Sequence, residues 1–353
     1  MKIVIYIWRD ITHPLAGGAE KYITEIAKLW AKQGHEIIFF CGAYPGCKKK
    51  ETIDGIHYIR MGGKFSMYLY AANPANHIDC DIVIDCNNGI PFFTPLFYNR
   101  TKKILLVFHI SGSMWYKETN PFVACIGKFL ETKVMPMIYR HHAKVITISE
   151  SSRQQCKDIG LPNAEIVHPG INPGYHPGKK SKEPEIVYIG RLKKYKSVDT
   201  LLKAMSYIKP EPRLNIIGDG DDNDRLRELS DSLGLKNVAF WGYVDEETKR
   251  KLLRRAWFAV NPSQVEGWSL SNIECAASGC PVIASNVNGN KDSTIHKQLL
   301  FEYNNVNELV KKIKILLRYR GTRILFSNDL VDWAKNFSWE KSANKFMEII
   351  KNV

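Results

Sequence analysis

Residues 2–41 read KIVIYIWRDITHPLAGGAEKYITEIAKLWAKQGHEIIFFC. The apolar run at 2–8 predicts a first β-strand, and the run at 36–41 predicts a second. Between them, apolar residues recur at helical spacing over 20–32, so we expect a helix there. Strand, helix and strand form the βαβ unit of a parallel sheet, and this stretch therefore predicts an α/β fold.

The same alternation continues along the chain, with one interruption. Further strands are predicted at 81–85, 103–109 and 144–148, and helices near 67–77, 122–140 and 150–158. Residues 169–184 are rich in proline and glycine and are typical of a linker. A second series follows, with strands at 185–190, 213–217, 237–241, 257–260 and 281–285 and helices at 197–208, 223–234, 246–255 and 269–278.

The length of 353 residues favours two domains. We expect an N-terminal domain over 1–172 and a C-terminal domain over 173–337, each a doubly wound Rossmann-like sheet. A last amphipathic helix is predicted within 338–353. Ligands of such sheets bind outside the carboxyl ends of the strands, so we expect the site in a cleft where the two domains face each other.

Composition restricts the class of protein. The eight cysteines are scattered without a C-x-x-C pair, which disfavours a disulfide framework or a cysteine metal site and favours a reducing, cytoplasmic location. No apolar run is long enough for a membrane span. The net charge of +14 indicates an anionic partner, either nucleic acid, anionic lipid or a diphosphate. The basic clusters are dispersed and no reader motif is present, which disfavours nucleic acid.

Three short segments carry residues suited to chemistry. Gly17 and Gly18 open the first helix, where backbone N–H groups suit phosphate, although a plain turn explains them equally well. Arg191 and Lys196 follow the first strand of the second series, and such cations hold diphosphates or merely face solvent. Glu266 and Glu274 offer carboxylates to vicinal hydroxyls, although a solvated helix face is the commoner meaning of such a pair.

The Asp219-Gly220-Asp221 segment matches the D-x-D pattern of some metal sites. It follows the strand at 213–217 as part of a glycine turn, so we interpret it as structural and expect no metal.

Taken in order, these segments resemble glycosyltransferase family four, whose signature is E-x7-E. The resemblance spans nearly the whole chain. It rests on Gly17-Gly18-Ala19-Glu20, Gly190-Arg191-Leu192 with Lys196, Gly218-Asp219-Gly220, Pro262-Ser263 with Glu266-Gly267 and Glu274, residues 278–285 and Phe337-Ser338-Trp339-Glu340.

The resemblance implies roles for individual residues. Arg191 and Lys196 would bind the donor diphosphate, Glu274 the ribose hydroxyls and Glu266 the transferred sugar, while His109 would face that sugar from the N-terminal domain. A histidine at a strand end is otherwise more often structural. The implied catalytic residues are His109, Glu266, Arg191 and Lys196. The implied donor-binding residues are Gly17, Gly18, Arg191, Lys196, Gly218, Glu266, Gly267, Trp268, Ser269, Leu270 and Glu274.

The resemblance also implies a GT-B fold and a metal-independent, retaining hexosyltransferase without a cofactor. Its donor would be a UDP- or GDP-sugar and its acceptor a glycan or a lipid-linked molecule. The final helix would pack on the N-terminal domain. There are two alternatives to this function. One is a sugar-nucleotide epimerase or phosphorylase on the same fold, and the other is a degenerate sugar-nucleotide-binding protein.

Two positions depart from the family pattern. Ser197 stands where a glycine commonly follows the diphosphate lysine. Residues 287–292 replace the G-G-x-P-E loop, whose backbone contacts the donor in the family. The identity of the donor sugar is therefore the feature that the resemblance predicts least well.

The acceptor side carries weaker signals. Residues 65–70 and 114–116 are aromatic-rich segments that we expect on loops of the N-terminal domain. An apolar stripe over 122–138 has two interpretations: a surface that meets the inner face of a membrane and a lipid-linked acceptor, or core packing, which we favour. Pro136 is expected to kink this helix.

Overall fold

The computed structural model describes residues 1–352. The chain forms two compact units, one from residues 1–170 with the C-terminal helix and one from residues 171–338. The last residue of the predicted segment 338–353, Val353, lies outside the described residues.

The first unit is built on an eight-stranded sheet. Its strands are β1 Lys2–Tyr6, β2 Glu36–Cys41, β3 Lys50–Ile53, β4 Ile56–Arg60, β5 Ile82–Asn87, β6 Lys102–Val107, β7 Lys144–Thr147 and β8 Glu165–Ile166. They lie in the order β3-β4-β2-β1-β5-β6-β7-β8. Only the hairpin of β3 and β4 is antiparallel. Every other pair is parallel because a helix or a longer segment returns the chain to the same edge.

Helices cover this sheet. They are α1 Gly18–Lys32, α2 Ser66–Ala72, α3 Trp115–Glu118, α4 Pro121–Phe129, α5 Met135–Tyr139 and α6 Glu150–Asp158. The C-terminal helix Trp339–Lys351 packs on α1. There the Trp30 indole N–H donates to the Ala343 carbonyl at 3.1 Å, and the rings of Trp30 and Phe346 lie 5.2 Å apart. This contact makes the last helix part of the first unit.

The helix predicted over 122–140 is real but distorted. A π-helical turn, Leu130–Val134, joins α4 to α5. Pro136 lies in the first turn of α5, where its missing N–H is tolerated, and the widened turn before it accommodates the proline ring.

The apolar stripe on this helix differs from the core interpretation. The side chains of Phe122, Ile126 and Phe129 are 76%, 45% and 58% exposed, so the prediction that they form core is wrong. The buried face of α4 carries Ala124 and Gly127 instead, because the ring of Trp115 lies against Gly127 and admits no larger residue.

The second unit contains a six-stranded, fully parallel sheet. Its strands are β9 Glu185–Ile189, β10 Arg213–Ile217, β11 Val238–Gly242, β12 Phe258–Asn261, β13 Val282–Ser285 and β14 Leu300–Phe301, in the order β11-β10-β9-β12-β13-β14. Its helices are α7 Val198–Ser206, α8 Asn223–Ser232, α9 Glu246–Arg255, α10 Leu270–Ala277, α11 Val306–Arg318 and α12 Arg320–Ala334, so the C-terminal helix is α13.

This strand order is that of a Rossmann-like sheet. The first strand, β9, lies between β10 and β12, and the chain reverses its direction of travel there. Within residues 1–352, no helix combines the length and the apolar character that a membrane crossing requires.

Candidate functional site

The reversal of strand order in the second unit creates a crevice outside the carboxyl ends of β9 and β12. The loop after β9 carries Arg191 and Lys196, and the loop after β12 carries Glu266. The two loops are joined directly, because the Gln264 N–H donates to the Tyr195 carbonyl at 2.7 Å. Residues some 70 positions apart in sequence therefore meet at the switch point.

The central contact of this site is an ion pair. Lys196 Nζ lies 2.5 Å from Glu266 Oε1, and the Ser263 hydroxyl donates to the same oxygen at 2.9 Å. The side chains of Lys196 and Glu266 are 14% and 12% exposed, so the pair is mostly buried but keeps an edge that solvent can reach. Ser263 was not predicted; it holds Glu266 from the start of the same loop.

Arg191 stands more freely at the same loop. Its guanidinium donates to the Tyr195 hydroxyl at 2.8 Å, and its side chain is exposed. The ring of Tyr195 also lies 5.3 Å from Lys196 Nζ. Tyr195 thus contacts both cations, Arg191 through its hydroxyl and Lys196 through its ring.

The glycine turn after β10 supports this loop. A side chain at Gly218 would place its Cβ 2.0 Å from the Gly190 carbonyl, so only glycine allows the two loops to approach this closely. The Asp219 carboxylate accepts from the Gly220 N–H at 2.8 Å, and Asp221 pairs with Lys193 at 2.8 Å. Both carboxylates of the D-x-D segment are therefore engaged locally.

Glu274 lies on α10, away from Lys196. Its side chain is 6% exposed and its Oε1 lies 3.1 Å from Lys249 Nζ. Burial lowers the pKa of Lys249, but Glu274 and Glu246 outweigh this effect and raise it. In the sequence, Lys249 belongs to the basic run 249–251, a pattern that is typical of a solvated face. The structure instead places it beside a predicted ligand-binding carboxylate.

The loop at 287–292 is held from beneath by a buried polar network. Asn290 is fully buried, its side-chain carbonyl accepts from Asn261 Nδ2 at 3.0 Å, and its amide donates to the Ser285 hydroxyl at 2.9 Å. A Cβ at Gly289 would lie 2.4 Å from the Glu266 carbonyl, so this loop packs on the backbone of the Glu266 loop. The altered sequence still forms an ordered wall of the crevice.

The residues after Glu266 mostly build structure with their side chains. Trp268 is 8% exposed and packs against Phe337, with ring centroids 5.3 Å apart. The Ser269 hydroxyl caps α10 by accepting from the Asn272 N–H at 3.3 Å. Leu270 begins α10. The donor contacts that the resemblance implies for this short segment stay a prediction.

Ser197 explains why the family prefers glycine at this position. Its φ is +51°, in the left-handed region that favours glycine. The strain is partly offset because its hydroxyl lies 3.2 Å from that of Tyr303. The substitution is therefore compatible with the loop that carries Lys196.

The predicted residues of the first unit lie in separate places. Gly17 and Gly18 begin α1, and the Gly17 N–H donates to Glu20 Oε2 at 2.7 Å, so this amide is already occupied. His109 follows β6 by two residues and is partly buried. The positions of these residues agree with the predicted edge of the sheet, while their roles stay predictions.

Two Rossmann-like units in one chain, with a cation–carboxylate pair at the switch point of the second, agree with the GT-B class of glycosyltransferases. Two family models match consecutive stretches of the chain: "Glycosyltransferase Family 4" over residues 16–175 and "Glycosyl transferases group 1" over residues 176–330. Together they cover most of the chain, which therefore belongs to glycosyltransferase family four.

Relatives and solved structures agree with this assignment. An uncharacterized glycosyltransferase of Haemophilus influenzae is 26% identical over 95% of this chain and 96% of its own length. One from Methanocaldococcus jannaschii is 28% identical, but the match spans only 59% of this chain and 60% of that protein.

Among solved structures, sucrose-phosphate synthase from Thermosynechococcus elongatus has a TM-score of 0.84 at 19% identity, over 99% of this chain and 98% of that chain. HepE of Anabaena in complex with UDP-glucose has a TM-score of 0.79 at 16% identity over the full length of both chains. At this level of identity, these structures establish the fold.

Proposed function

We propose that the chain is a retaining glycosyltransferase that moves a hexose-type sugar from a UDP- or GDP-sugar to a glycan or lipid-linked acceptor. The observation that carries the proposal is the accessible pair of Lys196 and Glu266 at the switch point of β9 and β12. The UDP-glucose complex of HepE, a protein of the same fold, supports this class of donor.

The pair suggests how a donor would be bound. A diphosphate is a stronger partner for Lys196 and Arg191 than a single carboxylate, because it offers more charge and more acceptor oxygens. Lys196 would leave Glu266 for the phosphate, and Glu266 would then accept hydrogen bonds from the sugar hydroxyls. The cations would stabilise the negative charge that develops as the diphosphate departs.

The reaction would follow from this arrangement without a metal or another cofactor. The acceptor hydroxyl would attack the anomeric carbon on the face from which the diphosphate leaves, through an oxocarbenium-like state, so configuration is retained. Arg191 and Lys196 supply the charge stabilisation that a metal ion supplies elsewhere. His109 would contact the sugar from the other domain.

A membrane contact is proposed from the exposed face of α4. Phe122, Ile126 and Phe129 are exposed there, together with basic side chains at 128, 133 and 140. The sequence of residues 119–140 contains a single acid, Glu131, which is buried and accepts from the Ser111 N–H at 2.8 Å. Apolar and basic side chains without exposed acid suit an anionic lipid surface at the inner face of the membrane, where a lipid-linked acceptor would lie.

Transfer itself tests the proposal. UDP-glucose and GDP-mannose labelled at C1 are offered with mixed lipid-linked and free glycans in the presence of EDTA, and the anomeric signal of the product is followed by NMR. We expect one donor to give an α-linked product. An inverted product would contradict retention, and loss of activity in EDTA would contradict metal independence. Product formed without any acceptor would favour the epimerase or phosphorylase alternative.

Flotation with lipid vesicles tests the membrane contact separately. We expect the chain to float with vesicles of phosphatidylcholine and phosphatidylglycerol, and the Phe122→Ser/Phe129→Ser variant to remain in the lower fraction. Donor binding should be the same in both proteins. Equal flotation of the two proteins would contradict the membrane contact alone.

A further inference from the structure

A cluster of charged side chains lies behind Glu274 and was not predicted. Lys249 on α9 contacts two carboxylates at once: Glu246 Oε1 at 2.8 Å and Glu274 Oε1 at 3.1 Å. The Lys249 side chain is 13% exposed, whereas that of Glu246 is 41% exposed. The cluster therefore runs from solvent at Glu246 to a nearly buried carboxylate at Glu274.

Tyr175 completes the cluster. Its hydroxyl donates to Glu246 Oε2 at 2.8 Å, and the Glu274 carboxylate lies close enough to act on the pKa of the phenol. Lys249 Nζ lies 5.5 Å from the centre of its ring. Burial and the neighbouring carboxylates raise the pKa of Tyr175, so the phenol stays neutral and acts as a donor. The Lys249 ammonium thus contacts Glu274, while the Tyr175 hydroxyl holds Glu246.

Such a carboxylate needs its cation. A carboxylate that is only 6% exposed loses most of its hydration, and the Lys249 ammonium replaces part of it while fixing the orientation of the carboxylate. Lys249 is the cation that contacts it, and the lysine approaches from the helix α9 rather than from the loops that bear Arg191 and Lys196. Lys249 therefore lies on the α9 side of Glu274, the carboxylate that the proposed function pairs with the ribose hydroxyls.

We infer that Lys249 is a positioning residue: its ion pair orients the Glu274 carboxylate to accept hydrogen bonds from the ribose hydroxyls of a nucleoside diphosphate. The inference rests on the proposed function, because it needs a nucleotide in this crevice. It adds a residue that acts through Glu274 rather than on the diphosphate or the sugar. Glu246 and Tyr175 fix Lys249 and Glu274 in the same cluster.

The inference predicts a coupling between Lys249 and the ribose hydroxyls. Removing the hydroxyls should weaken binding to the unaltered chain by about tenfold or more, the worth of hydrogen bonds to a charged group. In Lys249→Met that penalty should shrink to within about threefold, as it should in Glu274→Gln. A merely structural role would lower affinity for both kinds of nucleotide equally and leave their ratio unchanged.

Titration calorimetry on the full chain measures this ratio. The probes are UDP, GDP and ADP with their 2′,3′-dideoxy counterparts, and the base that the unaltered chain binds most tightly is used throughout. Lys251→Met is the matched control, since Lys251 is an exposed lysine on the same helix and should keep the full discrimination. Lys249→Arg, which keeps the charge, should restore part of it. Should Lys249→Met fail to fold, Lys249→Gln takes its place.

The outcomes separate the two proposals. A folded Lys249→Met or Lys249→Gln chain that discriminates as strongly as the unaltered chain overturns the role of Lys249 and leaves the proposed function intact. Equal binding of both kinds of nucleotide by the unaltered chain overturns the ribose contact of Glu274 and this inference with it. No binding of any nucleotide by the unaltered chain overturns the proposed function as well.

Discussion

The two units of the chain have the same kind of crevice, but they fill it differently. In the first unit, between β1 and β5, the Glu20 carboxylate is 1% exposed and accepts from Arg9 Nε and Asn88 Nδ2, each at 3.0 Å. In the second unit, between β9 and β12, Lys196 and Glu266 pair at 14% and 12% exposure. One switch point is closed by the protein's own buried anion, while the other leaves its charges accessible.

This difference indicates where an anionic ligand can bind. The fold offers a crevice at both switch points, but a buried, multiply bonded carboxylate already satisfies the cation of the first. In the second, the Arg191 guanidinium is exposed, and a diphosphate could take the place of the Glu266 carboxylate at Lys196. This contrast supports the proposed place of the donor phosphates in the second unit.

The largest expected effect is on the accessible pair. Lys196→Met should lower the transfer rate about 10²- to 10³-fold, because one donor to the developing charge is lost. The free energy of unfolding should fall by about 1–3 kcal/mol, because Glu266 is mostly buried and loses its cation while it keeps the hydrogen bond from Ser263. Steady-state kinetics and urea denaturation measure the two quantities. Lys194 is an exposed lysine on the same loop, and Lys194→Met should leave the transfer rate and the unfolding free energy unchanged. An equal rate loss in Lys194→Met would mean that the overall positive charge of the loop is responsible, and not Lys196 itself.

The buried pair of Glu20 and Arg9 in the first unit should contribute to stability rather than to nucleotide binding. Glu20→Ala should cost about 2–4 kcal/mol in unfolding free energy, because Arg9 and the Gly17 amide lose a buried partner. Nucleotide affinity should remain within about threefold of the unaltered value. Glu25→Ala breaks only a surface pair with Lys28 and should cost well under 1 kcal/mol. A stable Glu20→Ala chain with lost nucleotide binding would reverse the contrast.

The stability of the first unit should also decrease at low pH because of Asp10. Burial raises the pKa of Asp10, but hydrogen bonds from Arg60 and Thr12 outweigh burial and lower it. Because the folded pKa lies below the value of about 3.9 for an unfolded chain, the ion pair stabilises the fold above that pH and is lost as pH falls through the folded value. Urea denaturation at pH 6, 4 and 3 should show this loss. Asp10→Asn should show a weaker pH dependence, and an unchanged dependence would contradict the assignment.

The smallest effect is expected at Ser197. Glycine relieves the left-handed strain but loses the contact with Tyr303 and adds freedom to the unfolded chain. These contributions nearly cancel, so Ser197→Gly should change the unfolding free energy by less than about 1 kcal/mol and retain full activity. Ser197→Val, which is β-branched, should be clearly less stable. A large activity loss in Ser197→Gly would show that the serine itself acts in the site.

Much of the fold follows from the sequence because parallel strands and amphipathic helices have distinct periods. β1, α1 and β2 lie close to their predicted bounds, as do β10 and α9. The hairpin of β3 and β4 was missed, although Asp54-Gly55 is a strong turn signal and both residues have positive φ. Its strands are short and largely polar, so they lack the apolar pattern on which the other predictions rested.

The site was less predictable than the fold. Glu266 precedes α10 and Glu274 lies within it, as the spacing indicated. The partner of Glu274 could not be found, because Lys249 comes from another helix and its lysine-rich neighbourhood is typical of a solvated face. The exposure of Phe122 and Phe129 was also missed, since an apolar stripe has the same period whether it faces a core or a membrane.

The most direct test of the donor site is a thermal-shift measurement with UDP, GDP and ADP in EDTA, on the unaltered chain and on Arg191→Ala/Lys196→Ala. A ligand at about 100 times its Kd stabilises the folded state by about 2.7 kcal/mol, enough to raise Tm by several degrees. We predict that one nucleotide raises the Tm of the unaltered chain and leaves that of the double variant unchanged. No shift with any nucleotide, or the same shift in both proteins, would contradict a donor diphosphate at the switch point of β9 and β12.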